Sequence, residues 1–359
     1  MNLNLRPKEE CQFDAVSLGE VMLRLDPGEG RIRTARNFRA WEGGGEYNVV
    51  RGLRRCFGMK TAVITAFADN EVGKLMEDFI LQGGVDTSLI NWKKTDGIGR
   101  ICRNGINFTE RGFGIRGAVG CSDRANTAIA QATAEDFDFD YIFGELGVRW
   151  LHTGGIYAAL SEQSCETVLA AIKAAKKLGL TVSFDPNFRS TLWSFETARD
   201  VLSKYLPYVD VLIGIEPIHV YNADGTDVKD GLTMDPSFED MDRVFKAIDE
   251  QYHMKAIART VRYVHSGSNN SLKAFYYADG KTYESKTLNF EIVDRVGGGD
   301  AFSSGLIYAL MQDGWKHEDI VNFAVASSVM KHAIRGDTNI TSVDQIRRLM
   351  NNASFDVQR

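Results

Sequence analysis

Hydrophobic positions along the chain fall into two interleaved rhythms. Short apolar runs of the kind that a sheet buries occur at 14–18, 61–67, 149–152, 181–184, 209–213 and 256–263. Between them apolar residues recur at helical spacing, as with Val49, Val50, Leu53 and Phe57 before Gly58. Helices are expected over 71–82, ended by Gly83-Gly84, and over 161–178, capped by Ser161 and stopped by Gly179. Others are expected over 238–252, 316–334 and 342–351. Strand alternating with helix is the rhythm of a mostly parallel sheet covered on both faces. Between 95 and 126 the rhythm breaks. Runs at 99–103 and 105–108, separated by glycines at 112, 114, 117 and 120, predict strands outside the main sheet, and with 21–40 they would form a small antiparallel layer. A hairpin is expected around Asp279-Gly280. The pattern predicts one doubly wound α/β domain over 1–359, with a small β lid built from about 21–40 and 97–125.

Two stretches break the pattern in the same way, by running glycines straight into a helix. One is Gly43-Gly44-Gly45, ahead of Val49. The other is Gly297-Gly298-Gly299, which joins a strand-like run at 289–293 to Phe302, Leu306, Ile307, Leu310 and Met311 at helical spacing. A helix start carries unpaired N–H groups and partial positive charge, and residues without Cβ let an anion come close. Asp300 stands where that anion would lie. An Asp in a first turn also caps a helix, but a cap needs one side chain and not three consecutive glycines.

An open α/β sheet binds ligands at the carboxyl ends of its strands. The polar residues expected there are Glu20, Gly44 and Gly45 with Asn48, Thr153-Gly154, Asp185-Pro186-Asn187-Phe188-Arg189, Glu216, and the loop ending in Asp300. Singly, each also reads as a turn or a helix opening. Together they suit phosphoryl transfer, which needs N–H donors for the phosphoryl oxygens, a cation, and a carboxylate to take the hydroxyl proton. The chain has neither a Gly-x-x-x-x-Gly-Lys-Ser/Thr loop nor a Gly-x-Gly-x-x-Gly after the first strand.

Composition narrows the classes. With 359 residues, 44% hydrophobic and 25% charged, the chain is ordinary globular protein. A net charge of −6 and a pI near 5.6 argue against a nucleic-acid partner. Residues 1–10 are polar, and no run has membrane-spanning length, so a cytoplasmic protein is expected. The five cysteines are scattered, without zinc-site or redox spacing.

Asp-Arg-Val-Gly-Gly-Gly-Asp-Ala-Phe at 294–302 closely resembles the C-terminal signature of the ribokinase-like (PfkB) carbohydrate kinases. Gly43-Gly44-Gly45-Glu46-Tyr47-Asn48 resembles their N-terminal sugar-binding signature, and Ala68-Asp69-Asn70-Glu71-Val72-Gly73 resembles the segment next after it in that family. Phe184-Asp185-Pro186-Asn187-Phe188-Arg189 and Lys331-His332-Ala333-Ile334-Arg335-Gly336-Asp337 resemble the 2-keto-3-deoxygluconate kinases within that family. The resemblance implies a ribokinase-like fold and an ATP-dependent kinase with Mg2+, in which Asp300 is the base and 297–299 the anion hole. It implies a sugar site of Glu20, Gly44, Gly45, Asn48, Asn107, Arg124, Asp185, Asn187 and Arg189, the Arg189 fork suiting a carboxylate. A nucleotide site is implied at Arg262, Ser266, Gly267, Asn322, Ala326 and His332, the adenine lying against Asn322, Ala326 and His332. Glu216 and Asp294 are implied near metal, with a monovalent cation around Asp294. A homodimer clasped through the lid is expected because small exposed sheets are rarely stable alone.

Departures qualify the substrate. Asn107 and Ser122 stand where that subgroup commonly has tyrosines, Ile215-Glu216-Pro217-Ile218 lacks two polar residues of the usual acidic motif, and Arg295-Val296 replaces the usual threonines. A kinase of a neutral ketose such as fructose or of a nucleoside, and a sugar-sensing protein without catalysis, remain alternatives.

Overall fold

The apolar runs at 15–18 and 61–68 become strands buried along their whole length, because they lie inside a sheet covered by helices on both faces. The computed structural model describes residue 3 and residues 5–351. In chain order its elements are β1 (Ala15–Leu18), β2 (Met22–Asp26), β3 (Arg39–Gly43), α1 (Gly45–Phe57), β4 (Thr61–Ala68), α2 (Glu71–Gly83), β5 (Ile90–Lys93), β6 (Ile106–Glu110) and β7 (Val119–Asp123). There follow β8 (Trp150–Gly154), α3 (Gly155–Ala158), α4 (Glu162–Lys177), β9 (Thr181–Asp185), α5 (Phe195–Ser203), β10 (Val211–Ile213) and α6 (Phe238–Tyr252). The last are β11 (Ala256–Val264), β12 (Asn269–Ala278), β13 (Lys281–Glu284), β14 (Leu288–Glu291), α7 (Gly298–Leu310), α8 (His317–His332) and α9 (Val343–Met350).

The main sheet runs β13-β12-β11-β10-β9-β8-β1-β4-β5, with β14 also pairing β12. Neighbours from β11 to β5 are parallel, and β12 turns the edge antiparallel. Alternation divides the core. Val16, Leu18, Leu151, Val182 and Leu212 pack on the side of α4, α5 and α6, while Ala15, Trp150, Val211 and Ala258 pack on the side of α1, α7, α8 and α9. From β1 the chain goes one way to β4 and β5, then returns to β8 and proceeds the other way through β9, β10 and β11. Connections diverge between β1 and β8, which is where such a sheet opens a crevice at its carboxyl end.

The second sheet has the order β3-β2-β6-β7. Val21 and Leu23 anchor it to Tyr47 of α1 and to Met76 and Ile80 of α2. It departs from expectation in two ways. β2 and β6 pair in parallel, so the layer is mixed and not purely antiparallel. The strand expected over 99–103 is absent, because the Asp96 carboxylate gathers the N–H groups of Ile98, Gly99 and Arg100 into a turn. Helix α5, capped by Ser194 and with only Ala198 and Leu202 buried, is not among the helices expected from sequence. Among the described residues no helix is long and apolar enough to cross a membrane.

Candidate active site

Helix α7 is buried on most of its faces, with Phe302, Leu306 and Ile307 in the core, so its N-terminus is held rigidly at the crevice. Gly297 is its N-cap, in the left-handed region at φ 79°. A Cβ there would lie 1.7 Å from the Asp337 carbonyl oxygen, and one on Gly298 would lie 2.3 Å from the His332 ring. Both positions require glycine for close packing behind the loop. Gly299 differs, since its Cβ would meet nothing. The first N–H groups of a helix have no intrahelical partners, and here they border open space.

Asp300 stands in the first turn. Asn48, one turn into α1, donates its Nδ2 to Asp300 Oδ2 at 2.7 Å, and its Oδ1 accepts from Gly44 N at 3.4 Å. A Cβ on Gly44 would strike the Glu20 carbonyl oxygen at 1.9 Å, so glycine lets the β3–α1 junction pass close to the turn between β1 and β2. Burial pushes the Asp300 carboxyl up to about 7, Asn48 opposing and Asp185 adding to the rise. Burial likewise brings Asp185 to about 6, against the N–H of Asn187. Beneath them lies Glu46, a residue of the first glycine motif for which the sequence suggests no role. It is 2% exposed, and burial raises it to about 8. Its Oε1 accepts from Tyr157 N at 3.2 Å and its Oε2 has no partner.

A cleft of about 800 Å³ spreads in front of Asp300. It brings together Gly44, Gly45, Asn48, Asn107, Arg124, Asp185, Asn187, Arg189, Arg262 and the four residues 297–300, joined by Arg295, which lies beside Arg262. Arg189 spends only Nη1 locally, on the carbonyls of Phe188 and Asn187 at 2.9 and 3.3 Å. Glu20 does not reach the cleft: it is 1% exposed and holds Arg124 Nε at 2.9 Å, orienting that guanidinium from behind. Asn107 and Ser122 face each other across β6 and β7, Ser122 Oγ donating to Asn107 Oδ1 at 2.9 Å. A smaller hollow of about 290 Å³ shares Asp185, Asn187 and Gly299 with the cleft and is walled by Glu216 and Arg259.

Other expected residues lie elsewhere. Ala326 is wholly buried in the core, and Asn322 is tied to the N–H of Lys286 and the carbonyl of Glu318, so neither lines the cleft. His332 is a spacer beneath Gly298: its Nδ1 donates to the Ser328 carbonyl at 2.7 Å, Phe290 packs on it, and burial lowers it to about 4, leaving it neutral. Gly267 meets the loop after β6, its N donating to the Gly114 carbonyl at 2.6 Å, while Ser266 stays within its own turn, its N donating to the Asn269 carbonyl at 3.0 Å. Asp294 presents no free carboxylate to a metal. Its Oδ2 takes Arg24 Nη2 at 3.0 Å and Gly336 N at 3.1 Å, and its Oδ1 takes Val296 N at 3.2 Å. Arg24 also pairs with Asp337, and Lys331 is fully buried beside them. Among the described residues no group of three or more His, Cys, Asp or Glu side chains could hold a metal ion.

Comparison with known proteins agrees with this geometry. A family model described as pfkB family carbohydrate kinase matches residues 12–342. The crystal structure of 2-dehydro-3-deoxygluconokinase from Thermotoga maritima superposes with a TM-score of 0.83 at 32% identity, covering 94% of this chain and 99% of that one. A 2-dehydro-3-deoxygalactonokinase of Haloferax volcanii is 27% identical over 347 residues, 96% of this chain and 99% of the relative. A 5-dehydro-2-deoxygluconokinase of Clostridium perfringens is 28% identical over 328 residues, 90% of this chain and 88% of the relative.

Proposed function

The chain belongs to the pfkB family of carbohydrate kinases, and from that premise we propose that it transfers the γ-phosphoryl group of ATP to the terminal hydroxyl of a keto-deoxy sugar acid. The first choice is 2-keto-3-deoxygluconate, converted to its 6-phosphate. The observation that carries this reading is one cleft holding both a carboxylate brought to about 7 at a helix N-terminus and, on its wall, the guanidinium of Arg189. A sugar acid spans those two features, its carboxylate against Arg189 and its far hydroxyl against Asp300. The three relatives described above are all named for keto- or dehydro-deoxy sugar acids.

In this reading Asp300 accepts the hydroxyl proton as the oxygen attacks, and Asn48 aims its carboxylate. The N–H groups at the head of α7 receive the oxygens of the phosphoryl group in transit, a cradle that the open space over Gly299 fits. Arg262 and Arg295 line the same cleft and add positive charge along the phosphates. Mg2+, entering with ATP, would neutralise phosphate charge, and Asp185 and Glu216 are the carboxylates of the adjoining hollow that could hold its waters. The small sheet serves as lid, its Asn107, Ser122 and Arg124 facing the sugar. β7 is exposed along its length, and Phe113 and Ile115 beside it are exposed apolar side chains, which supports a dimer clasped through this sheet.

The test is release of ADP from ATP and Mg2+ by purified protein, offered 2-keto-3-deoxygluconate, 2-keto-3-deoxygalactonate, 5-keto-2-deoxygluconate, fructose and adenosine. The expected ranking puts the three acids above the two neutral compounds in kcat/KM. Faster turnover of fructose or adenosine would remove the sugar-acid assignment, and ADP release unmoved by every sugar would point to a sensing protein.

A further inference from the structure

Lys331 is in the last turn of α8, fully buried, with its stem directly behind the anion loop: a Cβ on Gly297 would lie 3.4 Å from Lys331 Cε. Its Nζ donates to two main-chain carbonyls, Asp294 at 3.3 Å and Ile334 at 3.2 Å. These carbonyls belong to the two segments that must stay together for Gly297 to sit against Asp337. The nearby carboxylates, Asp294 and Asp337, are shared with Arg24. Arg24 also lies 3.8 Å from Asp26, which Arg111 meets at 3.8 Å. Three fixed cations therefore face three carboxylates, and the carbonyl ends of α8 favour the Lys331 ammonium further. Burial pulls the Lys331 amine below its ordinary value, with Asp294 and Asp337 acting against that pull.

A free alkali ion near Asp294 would need the oxygens that surround Lys331. The Asp294 carbonyl and the Ile334 carbonyl already receive Nζ, both Asp294 carboxylate oxygens already receive donors, and a further charge would leave the cluster with net positive charge in a site closed to water. The residues present do not fit the monovalent cation that the family resemblance implied. We propose that Lys331 is a tethered replacement for that ion, a positioning residue whose ammonium ties the Asp294 segment to the 334–337 turn and so shapes the anion loop without K+ or Na+.

The inference rests on the kinase reading for its activity readout, and binding of the non-hydrolysable analogue AMP-PNP with Mg2+ by calorimetry supplies a readout that needs no sugar substrate. Both are measured at constant ionic strength as tetramethylammonium, too large for the site, is exchanged for K+ up to about 100 mM. Wild-type protein is expected to change less than twofold in each. Lys331→Ala leaves three carboxylates with two guanidiniums, two unpaired carbonyls and a cavity, so it should weaken AMP-PNP binding and turnover tenfold or more in tetramethylammonium and regain most of both in K+ or ammonium. Lys331→Met fills the space without charge and should lose as much with no recovery. Should Lys331→Ala not fold, Lys331→Gln takes its place, again with loss in tetramethylammonium and recovery in K+. Activation of the wild type several-fold by K+, or a folded Lys331→Ala indifferent to small cations, would overturn the proposal. Failure of all sugars to stimulate ADP release would strike the kinase reading alone.

Discussion

Asp300→Asn keeps the shape of the side chain at the head of α7 and removes the proton acceptor. A well-placed general base contributes on the order of 10²–10⁴ in rate, so kcat should fall by at least a hundredfold while the sugar still binds. The same carboxylate should set the pH dependence. With Asp300 brought to about 7, wild-type kcat/KM should rise with pH and level off above neutrality, the observed midpoint belonging to Asp300 and Asp185 together because the two interact. Stability should run the other way. A carboxyl whose folded pKa lies above its unfolded one makes the folded state hold the proton more tightly, so stability falls as pH rises from the unfolded value through about 7. A rise from 3.8 to about 7 corresponds to roughly 4 kcal/mol at ~1.4 kcal/mol per pH unit, and water in the open cleft screens this to on the order of 1–2 kcal/mol. Asp300→Asn should therefore be more stable than wild type at pH 8 by that amount and almost equal to it at pH 4. Urea unfolding at the two pH values, beside steady-state kinetics from pH 5 to 9, measures both. A variant that keeps more than a tenth of the rate, or that loses stability at pH 8, would refute the role given to this carboxylate.

Other perturbations separate binding, loop geometry and support. Arg189→Ala should raise KM for a sugar acid by about tenfold to a hundredfold, the worth of a charge-assisted pair, and leave KM for a neutral ketose unchanged in the same ADP-release assay. Gly299→Ala should fold normally, because its Cβ meets open space, yet lose phosphoryl transfer; Gly297→Ala, 1.7 Å from a carbonyl oxygen, should lower the melting temperature as well. Arg24→Met leaves Asp294 and Asp337 without their shared partner and should cost about 3–5 kcal/mol in urea unfolding, far more than loss of any exposed ion pair.

The parts of the candidate site that line the cleft were legible in the sequence because their chemistry is local. Three glycines followed by Asp300 state a helix start with room for an anion whatever surrounds it, and Gly44, Gly45 and Asn48 lie within one turn of one another. Asp185, Asn187 and Arg189 likewise follow one strand within five residues. The parts that hold the site together are not local. Arg24 is on a strand of alternating character where a charged residue reads as facing water, and it is buried only because Asp294 and Asp337, 270 and 313 residues away, close on it. Lys331 reads as an ordinary cation in the last turn of a helix, yet its ammonium is spent on the back of the anion loop. The parallel pairing of β2 with β6 has the same origin, since nothing within either strand specifies a partner some eighty residues off. The same division applies to two residues that the resemblance assigns to the nucleotide: Ala326 is buried in the core and His332 sits beneath Gly298, both in the supporting layer. Where a family signature is intact on the cleft side, the differences that set ion dependence are therefore to be sought behind it, among buried charges whose partners are distant in the chain.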